Sequence, residues 1–244
     1  METVLIVGAT GNIGVSAAKA VLSTGRQVLA IVRNSASAAK LFHHLGTKEG
    51  VVTVEANICS ETGVQEVIDQ VEAGKLPAFQ HVFSAAGGEY SATPLLQLST
   101  EELRHSMMVN FESNFWAYRA SMPYLLKQND PRSSWTVCTG SQGDIGARAG
   151  PALTQGALFS MSNTASRDNE KTNVRYVELY LSTRVEVDEV AAQNGTMKAS
   201  EFAKSYAGIL SRPEIRSCRV SVLGPEDLED LKYQKRPVQV IGVE

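Results

Sequence analysis

The sequence of 244 residues has little cysteine and no strong excess of charge of either sign. Its three cysteines, Cys59, Cys138 and Cys218, lie far apart without a CxxC pair, which argues against a disulfide framework and a cysteine zinc site. The formal net charge of −3 gives no general attraction to nucleic acid or to a membrane surface. No apolar run approaches the ~20 residues of a membrane span. We therefore expect a cytoplasmic protein that acts on a small molecule.

The sequence also lacks repeats, low-complexity tracts and Pro/Gly-rich linkers that would divide it. Short β-branched runs alternate with longer segments of helical period, a pattern typical of a parallel sheet with helices on both faces. We predict a single domain over residues 1–244, with a doubly wound α/β fold and a mostly parallel seven-stranded sheet. The expected strands are Thr3–Val7, Gln27–Val32, Val51–Glu55, His81–Ser84, Trp135–Thr139, Arg175–Tyr180 and Arg219–Leu223.

One helix is marked more clearly than the others. Ser99-Thr-Glu-Glu102 forms a capping box, in which the two end residues satisfy each other's free N–H groups. We expect this helix to run through Asn110 to Leu126. The segment after Leu231 has no such pattern and is expected to be loose.

The first predicted strand ends in a glycine-rich turn, Gly8-Ala-Thr-Gly11-Asn-Ile-Gly14, and a helix follows directly. Such a turn lets the backbone approach a pyrophosphate, whose charge is stabilised by the free N–H groups and the positive end of the helix. A glycine turn alone is weak evidence, but between a strand and a helix it indicates a dinucleotide site.

The end of the second strand indicates which dinucleotide is bound. An NAD enzyme places an acidic residue here for the adenine ribose, whereas this sequence reads Ile31-Val-Arg33-Asn34-Ser35. Arg33 can form charge-assisted bonds with a 2′-phosphate, assisted by Asn34 or Ser35, which favours NADPH/NADP+. The alternative is a solvated arginine without a ligand.

These features, in this order, resemble the short-chain dehydrogenase/reductase family over nearly the whole chain. Ser84-Ala-Ala-Gly87 stands for the family's Asn-Asn-Ala-Gly, Asn110 matches its helix asparagine, and Thr136–Ser141 resembles the strand that ends in its catalytic serine. The resemblance implies a Rossmann fold and a homodimer or homotetramer. It places the cofactor against Gly8, Thr10, Gly11, Asn12, Ile13, Gly14, Arg33, Asn34, Ser35, Asn57, Ala85, Ala86, Gly87, Gln155, Leu181 and Thr183.

The family's Tyr-x-x-x-Lys pair is missing. Pro151 stands at the tyrosine position and Gln155 at the lysine position, and no other tyrosine has a lysine four residues later. Hydride delivery to a carbonyl produces an alkoxide that the tyrosine normally protonates. Proline has no proton to donate, so we expect the alcohol/ketone reaction to be weak or absent.

Two explanations for this loss stay open: cofactor binding without redox chemistry, or an electrophile that needs no acid, such as an iminium. An iminium needs orientation and a nearby anion. Asp144 is the candidate anion, although it could also be a turn-forming residue between glycines. Arg148 could pair with Asp144 or with the substrate. The candidate catalytic residues are Asp144, Ser141, Asn110 and Arg148.

The loop Gly88–Leu98 and the segment after the sixth strand are expected to form the substrate mouth. Candidate substrate contacts are Tyr90, Trp116 and Pro151, with a core or subunit contact as the alternative for Trp116. The four histidines show no metal-ligand spacing, so no metal site is expected.

A closer resemblance is carried by Asn-Phe-Glu-Ser-Asn-Phe, Cys-Thr-Gly-Ser-Gln-Gly-Asp and Gly-Pro-Ala-Leu-Thr-Gln-Gly. These segments resemble the fungal reductase/Diels–Alderases of malbrancheamide- and paraherquamide-type prenylated indole alkaloid biosynthesis. The resemblance implies NADPH-dependent reduction of a dipeptide-derived iminium, followed by [4+2] closure. Two other functions stay open: an NADP-binding sensor, and a carbonyl reductase whose acid is Tyr90 or a water held by Ser141 and Asn110.

Overall fold

Strands and helices alternate along residues 1–237, which the computed structural model of the protein describes. The strands are β1 (Thr3–Val7), β2 (Gln27–Val32), β3 (Val51–Glu55), β4 (His81–Ser84), β5 (Ser134–Gly140), β6 (Arg175–Leu181), β7 (Val185–Glu186), β8 (Met197–Lys198), β9 (Cys218–Val222) and β10 (Lys232–Lys235). The helices are α1 (Asn12–Ser23), α2 (Ser35–Leu45), α3 (Gly63–Glu72), α4 (Thr100–Met107), α5 (Ser113–Gln128), α6 (Gln142–Ile145), α7 (Ala149–Asp168), α8 (Asp188–Asn194) and α9 (Ala199–Ser211).

Eight strands form the main sheet in the order β10-β9-β6-β5-β4-β1-β2-β3. Its strands are parallel except β10, while β7 and β8 form a separate parallel pair. The chain moves outward from β1 first through β2 and β3, and then in the other direction through β4. In such sheets ligands bind where the strand order reverses, at the carboxyl ends of the strands. The doubly wound α/β fold is thus confirmed, and the carboxyl ends of β1 and β4 mark the site.

The prediction of seven strands was wrong by one. The eighth, β10, pairs antiparallel with β9 within the segment that was expected to be loose. All four of its side chains are exposed, so no apolar period marks it in the sequence. Main-chain hydrogen bonds to a neighbouring edge hold such a strand, and these leave no trace in composition.

Two hydrophobic layers cover the two faces of the sheet, and every residue of β1 is therefore buried. Val4 and Ile6 pack with the layer that contains α1 and α9. Leu5 and Val7 pack with the opposite layer, which contains α3, α5 and α7. A strand buried on both sides reads as a continuous apolar run, as this one does. Within residues 1–237 no helix is both long and apolar enough to cross a bilayer.

The helix predicted from the capping box begins as expected. Ser99 Oγ accepts a hydrogen bond from the Glu102 N–H, and a Glu102 carboxylate oxygen accepts one from the Ser99 N–H, each over 3.1 Å. The helical path continues from α4 into α5 through one π-helical segment, Met108–Glu112, which the sequence did not predict. Such wide turns frequently occur at functional sites, and this one contains Asn110.

Candidate active site

The turn between β1 and α1 is shaped for a ligand with charged oxygens. Gly8 has a φ of +81°, and a Cβ there would lie 2.6 Å from the Ala85 carbonyl oxygen. A Cβ at Gly14 would lie only 2.1 Å from the Gly8 carbonyl oxygen. The N-cap of α1 is Gly11, which has no side chain to occupy the free N–H groups of the helix. The turn therefore fits a pyrophosphate at the start of α1.

Arg33, Asn34 and Ser35 follow β2 at the same edge of the sheet, and all three are exposed. Asn34 Oδ1 accepts a hydrogen bond from the Ser37 N–H over 2.9 Å and so caps α2. Burial raises the pKa of the Cys59 thiol, and the nearby Arg33 cation partly opposes this shift. The Arg33 charge therefore acts on the turn that contains Asn57 and Cys59, both after β3 at this edge of the sheet.

Two asparagines hold the segment that follows β4. Asn110 Oδ1 accepts hydrogen bonds from the N–H groups of Gly88 and Glu89 over 3.1 and 3.3 Å, and Asn110 Nδ2 donates to the Glu89 carbonyl over 3.0 Å. These bonds fix the chain just beyond the predicted cofactor residues Ala85, Ala86 and Gly87. Asn110 therefore positions this wall of the site through its side chain.

The second asparagine, Asn114, is fully buried. Its Oδ1 accepts from the Ser84 hydroxyl over 2.7 Å, and its Nδ2 donates to the carbonyl oxygens of Ala86 and Asn110, each over 2.9 Å. Both N–H groups of this amide are thus engaged, and its oxygen accepts one hydrogen bond. Asn114 ties the end of β4 to the π-helical segment.

The end of β5 is fixed by main-chain and amide contacts. The Ser141 N–H donates to the Leu181 carbonyl over 3.0 Å, and Gln155 Oε1 accepts from the Gly140 N–H over 2.7 Å. Gln155 thus holds the end of β5 through its side-chain oxygen, and its amide nitrogen can donate to a ribose hydroxyl. Thr183 lies two residues beyond Leu181 and is half-buried.

Pro151 is buried and is the third residue of α7. The first N–H groups of a helix have no intrahelical acceptor, so a proline fits there without loss of a hydrogen bond. It offers no hydroxyl. The position at which the sequence predicts the loss of a proton donor is therefore occupied by a buried side chain with no proton to donate.

Asp144 lies in α6 with about half of its side chain exposed, and its Oδ2 is 4.0 Å from Arg219 Nη1. Burial and a hydrogen bond with Asp144 raise the pKa of Tyr180 to about 12. Arg219 donates two hydrogen bonds of 2.9 and 2.8 Å to the fully buried Glu178, and its guanidinium lies over the rings of Phe159 and Tyr180. Asp144 thus faces protein groups as well as solvent.

The mouth of the site joins two loops. Arg148 Nη1 donates to the Tyr90 carbonyl over 3.0 Å, so Arg148 binds the opposite loop and not Asp144. The Tyr90 side chain is 62% exposed. The Glu89 carboxylate lies 3.3 Å from His105 Nε2. Trp116 is half-buried and sits on α5 about 9 Å along the helix from Asn110.

The sequence did not identify three of these features: Asn114, the Glu89–His105 pair and the Arg219–Glu178 pair. Asn114 follows Asn110 by four residues, a spacing that puts both on one face of a helix and could have identified it. The other two depend on how distant segments meet, and the sequence carries no signal for them.

Comparison with known proteins identifies the family of this chain. The family model described as short chain dehydrogenase matches residues 2–181. The short-chain dehydrogenase/reductase iacG of Pestalotiopsis fici is 50% identical over 240 residues, 96% of each chain. The short-chain dehydrogenase RED3 of Pyricularia oryzae is 30% identical over 152 residues, 59% of this chain and 58% of that protein.

Solved structures share the fold. A short-chain type dehydrogenase/reductase from Mycobacterium ulcerans superposes with a TM-score of 0.79 at 17% identity, covering 93% of this chain and 90% of that one. A short-chain dehydrogenase/reductase described as glucose/ribitol dehydrogenase from Brucella melitensis gives a TM-score of 0.75 at 21% identity, covering 91% and 95%. The chain therefore belongs to the short-chain dehydrogenase family and is an oxidoreductase of that type.

Proposed function

We propose that the protein is an NADPH-dependent reductase whose substrate is a cationic iminium, and that its product then closes by intramolecular [4+2] cycloaddition in the same pocket. The observation that carries this proposal is the buried Pro151 in the first turn of α7, at the position of the family's proton donor. The glycine turn and the asparagine-held segment after β4 remain in place beside this proline, which favours chemistry that needs a hydride and no acid.

The residues present fit NADPH. The Gly8–Gly14 turn accommodates the pyrophosphate, Arg33 offers a cation to the 2′-phosphate, and the segment held by Asn110 and Asn114 forms the nicotinamide wall. When bound, NADPH supplies a hydride. The protein's own part is to hold the substrate carbon close to the nicotinamide and to exclude water from it.

An iminium suits this inventory of groups. Hydride addition forms a C–H bond at carbon while the C=N electron pair moves onto nitrogen, which neutralises the cation and requires no proton. In a conjugated ring that carries a second C=N bond, the neutral product is an azadiene, and this is the diene of the later [4+2] closure. A ketone would leave an alkoxide, whose protonation Pro151 cannot assist. The residues therefore support reduction of a cation over reduction of a carbonyl.

The anion beside the iminium is proposed to be Asp144. Arg219 donates two short hydrogen bonds to Glu178, whereas its Nη1 lies 4.0 Å from Asp144 Oδ2. The negative charge of Asp144 is therefore only partly neutralised by Arg219. Glu178 is fully buried and cannot meet a substrate. Glu89, at the mouth beside His105, is the second candidate.

An ordinary carbonyl reductase has less support. A catalytic water held by the Asn110 side chain could use only the second N–H of Nδ2, because Oδ1 already accepts two N–H groups and the first N–H of Nδ2 donates to the Glu89 carbonyl. The exposed Tyr90 side chain at the mouth is the one acid that favours this second function.

The cycloaddition half of the proposal rests on shape and on resemblance. A [4+2] closure needs neither acid nor base, only a pocket that folds diene and alkene together. Exposed apolar side chains at Tyr90, Leu95 and Leu96 in the mouth loop suit a prenylated indole substrate derived from a dipeptide. Partly exposed Phe115 and Leu153, on α5 and α7, support a homo-oligomer as part of the same proposal.

The test is incubation of the protein with NADPH and the conjugated cyclic iminium that a prenylated tryptophan–proline aldehyde gives after ring closure and two-electron oxidation in air. We expect NADPH consumption and a single cycloadduct enantiomer by chiral chromatography, and no turnover of simple ketones. Binding of NADPH without consumption by any of these substrates would make the protein a sensor. Ketone reduction that Tyr90→Phe abolishes would make it a carbonyl reductase.

Variants locate the anion and test the acid-free step. Asp144→Asn keeps the side-chain volume and removes the charge, so reduction is expected to fall by about tenfold to a thousandfold. Glu89→Gln is the matched control and is expected to reduce normally. Pro151→Tyr combined with Gln155→Lys should not accelerate iminium reduction, and a strong acceleration would contradict the mechanism.

A further inference from the structure

A cluster of three metal-binding side chains lies outside the proposed active site, where the end of α2 meets α8. The side chains are His43, His44 and Glu189, and one ligand atom from each lies within 4.8 Å of the other two. Two imidazoles with a carboxylate are a donor set that suits zinc and its neighbours in the first transition series. The sequence did not suggest this site, because Glu189 is remote from the histidines along the chain.

One pair of donor atoms has the separation that such an ion requires, and the third atom lies within 4.8 Å of both. Metal–nitrogen and metal–oxygen bonds of about 2.0–2.1 Å in a tetrahedral site put two ligand atoms about 3.3 Å apart. His43 Nε2 and Glu189 Oε1 are 3.4 Å apart, close to that separation. His43 is 65% exposed and Glu189 68% exposed, so small rotations are free to draw them towards His44.

The local charge also suits a cation. Both histidines lie in the last turn of α2, where the free carbonyl groups favour positive charge. Lys40 lies one turn before His44 on α2, so its cation opposes part of this attraction. Lys19 also faces the cluster, but Asp188 neutralises it at 3.3 Å.

We propose that His43, His44 and Glu189 bind one divalent transition-metal ion of the zinc class, with water in the remaining position. Three protein ligands with an open fourth position make an exchangeable site. The ion would tie α8 to the end of α2.

A metal ion that joins α2 to α8 would affect the cofactor cleft through the start of α8. The Val187 N–H, directly before α8, donates to Asn12 Oδ1 in the cofactor turn over 3.1 Å. The other end of α2 begins just after Arg33. A metal that holds α8 against α2 therefore braces both walls of the cleft and should slow cofactor release. This last effect rests on the proposed function, whereas metal binding does not.

The test is competition for Zn²⁺ between the tag-free protein and a colorimetric chelator. We expect one ion per chain, bound at least about tenfold more weakly by His43→Ala, His44→Ala and Glu189→Gln. The matched control is His105→Ala: His105 Nε2 lies 3.3 Å from Glu89, and no third ligand joins that pair in the described residues. Absence of binding by the wild type, or binding that survives Glu189→Gln, would overturn the proposal.

A second measurement separates binding from its consequence. Zn²⁺ should slow hydrogen exchange in α8 of the wild type and leave the exchange of Glu189→Gln unchanged. Zn²⁺ should also slow NADPH release in stopped-flow chase experiments, and an unchanged release rate would overturn the link to the cleft. If NADPH does not bind at all, the proposed function fails while the zinc titration still decides this inference.

Discussion

Asn110 and Asn114 show how much of the cleft depends on two amide side chains. Asn110 holds Gly88 and Glu89, and Asn114 joins Ser84, Ala86 and the π-helical segment. Neither side chain carries a charge or titrates, so this wall keeps its hydrogen bonds across the pH range in which the protein is folded.

Asn114→Ala is expected to weaken NADPH binding by about tenfold, or about 1.4 kcal/mol. The reason is that three buried hydrogen bonds are lost and the segment after β4 is no longer held against the nicotinamide. The ligand 2′,5′-ADP lacks the nicotinamide half, so its affinity should not change. Isothermal titration of both ligands measures the difference.

Arg33→Ala is the matched control for that experiment. Arg33 is placed at the adenine end, so its loss should weaken NADPH and 2′,5′-ADP alike, and NADH much less. An equal loss of both ligands in Asn114→Ala would mean that Asn114 supports the whole fold and does not position the nicotinamide wall.

Short motifs led to predicted site residues such as the Gly8–Gly14 turn and Asn110, which the structure places at the carboxyl edge of the sheet. It did not allow prediction of the partners of Asp144. Arg219 comes from β9, and its contact with Asp144 and Glu178 exists only because β9 pairs with β6. Contacts made by sheet pairing join residues far apart in the chain, and no local pattern encodes them.

At the scale of elements, burial decided what could be predicted. Most parallel strands of the main sheet are buried, and apolar runs identified all seven of them with errors of at most one residue at an end. The two-residue pair of β7 and β8 was missed, because so short a run carries no period. β10 is exposed and was missed, since its pairing uses main-chain groups alone. The π-helical segment was missed because its apolar spacing is that of an ordinary helix over so short a length.

The capping box of α4 gives an element-scale prediction. Ser99→Ala removes the oxygen that accepts from the Glu102 N–H, and the free energy of unfolding should fall by about 1 kcal/mol. Urea denaturation followed by circular dichroism measures the change. Ser160→Ala, at an exposed position inside α7, is the control and should leave stability unchanged or slightly raised. Equal effects of the two variants would contradict a role for the cap.

At the scale of the whole molecule, stability should depend on His81. This side chain is 1% exposed at the start of β4, beside Ser134 and Glu2, and burial lowers its pKa to about 4 from 6.5. Above pH 6.5 His81 is neutral in both the folded and the unfolded chain. Between pH 6.5 and 4 only the unfolded chain gains the proton, so the free energy of unfolding should fall by about 3 kcal/mol in total.

Denaturant melts at several pH values measure this dependence, and His81→Gln should flatten it above pH 4.5. The Glu2 carboxyl cannot imitate the effect, because its pKa is lowered from 4.5 and its contribution is lost only at lower pH. A wild-type profile that is flat between pH 6.5 and 4.5 would contradict the assignment to His81.

Pro151 has a consequence for how the chemistry of the chain can change. In the first turn of a helix a proline replaces another residue without breaking a hydrogen bond, so the exchange carries no penalty in folding. An exchange at this position can therefore leave the hydrogen bonds of Asn110, Asn114 and Gln155 intact, because none of them passes through Pro151. Under the proposed function, loss of the proton donor and retention of the scaffold are separable changes, and a protein that no longer protonates an alkoxide can still present a hydride to a different electrophile.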